Sequence, residues 1–228
     1  MDLAALPERL ARVRETIDRL QSRAGWSHPV TIVAVTKTHG PEAVRAVAAA
    51  GLRIVGENRV QEALAKQEAV ADCPVEWHLI GSLQRNKVRH AVGRFGLIHS
   101  VDRATLAREL HRRVPEGERQ RILVQVNCSG ESQKGGVAPA DLEPLVEEIL
   151  GLDRLEMCGL MTMAALATDE AAQRRTFSRL RELRDGLKNL GSPGAELSMG
   201  MSGDYPIAVA EGATMVRLGT ALLGERNL

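Results

Sequence analysis

The 228-residue chain is long enough for one enzyme-sized domain with a substantial core, and its 30 basic and 29 acidic side chains leave a net charge of +1. That balance supplies no long-range field to gather nucleic acid or a membrane surface, and aromatic residues, at 2% of the chain, are too sparse for base-stacking platforms. Three scattered cysteines, Cys73, Cys128 and Cys158, argue against a disulfide frame and for free thiols in the cytoplasm.

Residues 2–24 place Leu3, Leu6, Leu10, Val13, Ile17 and Leu20 at helical spacing between Arg and Glu, which predicts an amphipathic first helix. Its apolar stripe is free to cap a barrel or to meet a partner, and capping is the favoured use. No apolar h-region opens the chain and no apolar run reaches the ~20 residues of a membrane helix, so neither a signal peptide nor an anchor is expected.

Beyond residue 24, short β-rich runs alternate with helical ones. The predicted strands are Val30 to Thr36, Arg53 to Val55, Val75 to Ile80, Leu97 to Val101, Ile122 to Asn127, Leu155 to Met161, Glu196 to Met199 and Met215 to Leu218. Between them, Pro41 to Ala50, Arg59 to Ala71, Gln84 to Arg94, Ala104 to Val114, Pro139 to Leu150, Asp169 to Leu190 and Asp204 to Ala210 read as helices, with a last turn after Thr220. Several strands are near-continuous apolar runs, as in a parallel sheet covered on its outer face. Eight such units predict an α/β fold, a single (β/α)8 TIM barrel spanning residues 1–228 with an extra N-terminal helix. A doubly wound open sheet is the alternative; no G-x-G-x-x-G follows the first strand, which weakens its dinucleotide-binding version.

In a barrel, functional groups stand at the carboxyl ends of the strands, and phosphates are often held after strands 7 and 8. Those places are taken by Ser198-Met-Gly-Met-Ser202 and by Gly219-Thr220. Gly200, Gly203 and Gly219 let backbone approach an anion, Ser202 and Thr220 supply hydroxyls, and helices starting near Asp204 and Thr220 would add positive dipole ends. Lys37 ends the first strand. Taken alone, a lysine there is usually a solvated charge, but barrel closure would bring it within one or two strand spacings of ~4.8 Å from the phosphate loops. An amine that forms a Schiff base beside an anion site suggests a small phosphorylated aldehyde, pyridoxal 5'-phosphate (PLP).

Arg217 is a candidate cation for the phosphate or for the pyridine nitrogen, where it would weaken the electron sink; it is equally suited to bridging polar groups inside the barrel. Asn58 is placed to bond a cofactor hydroxyl, Glu57 is the only carboxylate expected near Lys37, and His78 reads as a satisfied core histidine. No metal is expected, because the six histidines lack ligand spacing. Gln84 to His90 is basic but patterned like a solvated helical face.

The stretches Ala34-Val-Thr-Lys-Thr38, Gly56-Glu-Asn-Arg-Val-Gln-Glu62, Trp77-His-Leu-Ile-Gly81 with Gln84 and Asn86-Lys87, Ser100-Val-Asp102, Gly159-Leu-Met161, Leu197 to Ser202 and Val216 to Glu225 closely resemble the pyridoxal phosphate homeostasis proteins, also described as alanine racemase N-terminal-domain-like. They run over almost the whole chain, and Arg59, Leu79 and Ser82 depart from residues common in that family. The resemblance implies an alanine racemase type of barrel, PLP carried on Lys37 as an internal aldimine, and phosphate held by Ser202 and the Gly219-Thr220 loop. With Asn58, Ser198, Gly200 and Arg217, these form the candidate cofactor site. It also implies a role in PLP homeostasis, not an established turnover.

The competing expectation is a PLP-dependent amino-acid racemase with weak activity. Related racemases take a second base from a tyrosine in an additional domain, whereas the only tyrosine here, Tyr205, follows the phosphate loop at the wrong end of the cofactor. A third possibility, aldolase-type chemistry without cofactor, would rest on Glu57. The favoured expectation is a non-enzymatic cytoplasmic monomer that holds PLP and supplies or buffers it for PLP-dependent apoenzymes.

Overall fold

The computed structural model describes residues 3–131, 134–164, 169–187 and 194–225. Eight parallel strands close into a barrel in chain order: β1 (Thr31–Val35), β2 (Ile54–Glu57), β3 (Glu76–Leu79), β4 (Leu97–Val101), β5 (Gln120–Gln125), β6 (Leu155–Met161), β7 (Glu196–Met201) and β8 (Met215–Leu218). Closure runs through β1 and β8, which pair from Thr31 with Met215 to Ala34 with Leu218. The expected barrel is therefore the observed one, and the open-sheet alternative falls.

Alternation along each strand sorts side chains into two cores. Ile32 and Ala34 face outward with the helical residues Val44, Leu106, Leu110, Val146, Phe177 and Leu180, while Leu97, Leu123, Met161 and Met215 pack inside the barrel. The outer helices are α2 (Pro41–Ala49), α3 (Val60–Ala69), α4 (Val88–Ala91), α5 (Ala104–Arg113), α6 (Leu142–Leu150), α7 (Glu170–Leu187), α8 (Tyr205–Ala210) and α9 (Thr220–Leu223).

Helix α1 (Leu6–Ala24) precedes them. Contrary to the capping expectation, it lies on the outer ring against α8 and α9, where Arg9 donates to the Leu222 carbonyl and Trp26 Nε1 donates to the Ala210 carbonyl at 3.0 Å. The reason is coverage: α8 has 6 residues and α9 has 4, too few to bury their side of the sheet. Leu6, Leu10, Val13 and Ile17 of α1 supply the missing apolar surface, each worth roughly 1.5–3 kcal/mol of burial.

One predicted helix is broken into shorter pieces. Gln84 to Arg94 resolves into a 3₁₀ turn (Arg85–Lys87) and the single turn α4, ended where Val92 turns extended and Gly93 takes φ +71°. The helix expected over Asp169 to Leu190 is described over Glu170–Leu187, and its last three positions lie outside the described residues. Strands β2 and β7 run two residues further than their apolar cores suggested, to Glu57 and Met201. Among the described residues no helix is long and apolar enough to cross a membrane.

Candidate functional site

A cavity of about 470 Å³ opens at the carboxyl ends of the strands, within the ~300–1,000 Å³ usual for small-molecule sites. Lys37, Asn58, Ser202, Arg217, Gly219 and Thr220 all line it. Two other candidates, Ser198 and Gly200, are buried behind its wall.

On one side, β1 delivers Val35 and then Lys37 to the cavity by simple alternation. The turn between them is clamped from behind. Thr36 Oγ1 donates to Glu57 Oε1 at 2.7 Å, and Lys66 Nζ, from α3, donates both to that oxygen at 2.6 Å and to the Thr36 carbonyl at 2.8 Å. Thr38 follows with φ +65°, a left-handed conformation that a β-branched residue adopts at a cost of about 1–2 kcal/mol. Lys37 itself is half-buried, and its amine has no partner among the described residues. Glu57 is fully buried, bonded to Thr36 and Lys66, and off the cavity wall. The carboxylate that aldolase-type chemistry would need is thus turned toward α3.

Two strands round the barrel from β1, β7 departs from its pairing with β8 between Ser198 and Met201. Gly200 sits in that irregularity at φ +91°, and a Cβ there would stand 2.6 Å from the Cβ of Ala208. Its glycine is demanded by the packing of β7 on α8. Ser202 Oγ accepts hydrogen bonds from the backbone N–H groups of Gly219 and Ala221, both at 3.1 Å. With its oxygen occupied, the hydroxyl hydrogen of Ser202 is left to donate elsewhere. The helices α8 and α9 are only one or two turns long, so their dipoles add less than the sequence suggested, and the local N–H groups matter more. Asp204 Oδ1 accepts from the Met201 N–H, and burial pushes its carboxyl above the usual range.

Arg217 occupies the floor. Its Nη1 donates to Ser198 Oγ at 2.7 Å and its Nη2 to the Thr162 carbonyl at 2.9 Å. Burial lowers its pKa to about 10, partly opposed by Asp204, so the guanidinium keeps its charge at neutral pH. Of the roles open to it in the sequence, bridging interior polar groups is visible directly, and the same side chain also borders the cavity. Ser198 supports it from below.

Asn58 faces these groups from the loop after β2, with Ile80 and Gly81 beside it after β3. A Cβ on Gly81 would lie 2.3 Å from the Asn58 carbonyl oxygen, so the two loops meet there only with glycine. Sequence reasoning missed Gln125 and Met163, which complete the wall; Gln125 Nε2 donates to the Gly135 carbonyl at 2.6 Å. Their position at the ends of β5 and β6 was the available signal. His99 was missed as well. His78 is buried and bonded through both ring nitrogens, as expected of a core histidine. Tyr205 packs against the outer core and does not line the cavity.

The profile of the family described as alanine racemase, N-terminal domain, matches residues 9–227. The pyridoxal phosphate homeostasis protein of Aquifex aeolicus is 45% identical over 225 residues, covering 96% of this chain and 98% of its own. That of Pseudomonas aeruginosa is 45% identical over 228 residues, covering 99% and 97%. Among solved structures, PipY of Synechococcus elongatus, determined with PLP bound, superposes with a TM-score of 0.85 at 40% identity, covering 96% of this chain and all of its own. Near-complete coverage, the closed barrel and the cavity agree: the chain belongs to the pyridoxal phosphate homeostasis protein family, built on the barrel of the alanine racemase N-terminal domain.

Proposed function

We propose that this chain binds PLP in the cavity at the carboxyl ends of its strands, covalently through Lys37, and holds it for supply or buffering within the cytoplasm. The observation that carries the reading is the pairing of two groups across one cavity. An unpartnered lysine amine faces it from β1, and a serine hydroxyl whose oxygen already accepts two N–H groups faces it from the β7–β8 side. When bound, PLP supplies an aldehyde to the first group and a phosphate to the second.

The chain's own residues divide the work. Ser202 and Thr220 offer hydroxyl hydrogens to the phosphate, with Gly219 keeping the neighbouring wall free of a side chain. Asn58 offers an amide to a ring substituent. Ser198 fixes Arg217, and Gly200 lets β7 turn against α8. Arg217 brings a permanent positive charge to the floor, a donor unable to accept a proton from a ring nitrogen at neutral pH.

Holding, and not turnover, fits the titratable groups present. Among the described residues lining the cavity, only Lys37 and Arg217 are ionisable, so a second base for two-base racemisation is missing from the wall. A monomer fits as well. The apolar stripe of α1 is buried within its own chain, and Leu150 is the sole large hydrophobic residue exposed among those described.

Incubation of the purified protein with PLP should give visible absorbance, and borohydride should then fix the cofactor irreversibly on Lys37. In Lys37→Ala the fixed cofactor should vanish. Equal fixation in that variant would overturn the covalent assignment. Amino-acid racemisation at an ordinary enzyme rate of ~1 to 10³ per second would overturn the carrier reading. Transfer is read by reactivation of a PLP-dependent apoenzyme mixed with the loaded protein.

A further inference from the structure

The barrel interior holds a chain of polar groups that joins the cavity floor to the opposite, amino-terminal mouth. Below Arg217, Ser198 Oγ lies 2.9 Å from His99 Nδ1, and His99 Nε2 lies 3.0 Å from His78 Nδ1. His78 Nε2 lies 3.1 Å from Glu76 Oε1, and Glu76 pairs with Arg121 Nη1 at 3.3 Å. Ser198 and His99 are wholly buried and His78 is 1% exposed, whereas Glu76 opens on a separate cavity at the base, bordered by Arg94, Glu118, Arg119 and Arg121.

Proton counting gives this chain one direction. Arginine has donors only, so Ser198 Oγ must accept from Arg217. The serine hydrogen then goes to His99 Nδ1, which leaves the His99 proton on Nε2, pointing at His78 Nδ1. That in turn leaves the His78 proton on Nε2, pointing at the Glu76 carboxylate. Each ring accepts one hydrogen bond and donates one, so neither carries a second proton. Reversal would set the bare His78 Nε2 lone pair against a carboxylate oxygen and strand the serine hydrogen in the dry interior without an acceptor, both costly. Arg217 at the top and the Glu76 carboxylate at the base therefore select the same direction.

We infer that His99, His78 and Glu76 are positioning residues for Arg217: a one-way hydrogen-bond relay through the barrel, set by the Glu76 carboxylate at the base, that holds Ser198 as the anchor of the guanidinium and so governs ligand affinity in the cavity. The charged groups facing the two rings reinforce this arrangement. Burial holds the His99 pKa well below the ordinary histidine range, with Arg217 above repelling any cation there, and the His78 hydrogen bond, helped by Arg121, lowers the Glu76 pKa from below.

The consequence for binding rests on the reading of the upper cavity as a PLP site; the relay itself does not. Nitrogen-15 NMR of histidine-labelled full-length protein, without ligand, reports both tautomers. His78 and His99 should each carry hydrogen on Nε2 and leave Nδ1 bare. A proton on either Nδ1 overturns the relay.

Glu76→Gln replaces the carboxylate by an amide that donates or accepts. It should mix the tautomers and weaken PLP binding about fivefold, while Glu118→Gln, in the same basal cavity but outside the chain, should change neither. Mixed tautomers with unaltered PLP affinity overturn the link to the cavity. If wild type binds no PLP, the site assignment fails, and the tautomers still decide the relay.

Discussion

The two sides of the cavity mouth are held in place by different means. The amine side is positioned by side chains: a buried Glu57–Lys66 pair grips Thr36 from behind, and the left-handed Thr38 turns the backbone just past Lys37. The anion side is positioned by backbone: an irregularity at Gly200 and two N–H groups converging on Ser202 Oγ. Charge burial makes the first side sensitive to loss of either member of that pair, whereas conformational demand makes the second sensitive to a single added carbon.

Substitutions should separate these modes. Removing the carboxylate with Glu57→Ala leaves the Lys66 ammonium buried and unpaired, at an expected cost of about 3–5 kcal/mol in urea unfolding. Pairing it with Lys66→Met should recover most of that loss; no recovery would mean that packing around Thr36, and not charge, is at stake. Gly200→Ala should cost roughly 1–3 kcal/mol, through a left-handed φ of +91° and a clash with Ala208. On the amine side the same logic runs in reverse, since Thr38→Gly relieves strain and should be neutral or stabilising by up to about 1 kcal/mol.

Ser202→Ala should hardly move the unfolding midpoint, about 1 kcal/mol, yet weaken phosphate-ester binding about tenfold by isothermal titration, because two N–H groups lose their acceptor and the ligand loses a donor. The smallest effect is pH-dependent. Burial raises the Asp204 carboxyl, so the folded state holds its proton longer than the unfolded one, and that contribution to stability is lost as pH rises through the raised value. Asp204→Asn keeps an acceptor for the Met201 N–H and should flatten this part of the stability profile.

Local pattern carried a reader of the sequence a long way here. Eight strands in order, and six residues that share one cavity, follow from apolar runs, alternation and the rule that functional groups stand at strand ends. What stayed hidden depends on partners distant in sequence. His99 and Ser198 are 99 residues apart, and Lys66 reaches Thr36 across 30. A lysine on a helix and a histidine in an apolar strand have no local signature of such pairing. The place of α1 was equally illegible, because it follows from how short α8 and α9 turn out to be.

That first helix ties the start of the chain to the far end of the binding reaction. Since α1 braces two short outer helices, and those follow directly on the Ser202 and Gly219 loops, the local stability of α1 should be coupled to ligand at the proposed anion site. Saturating ligand should therefore slow amide hydrogen exchange along residues 6–24, a segment no ligand touches, and fraying of that helix should hasten release.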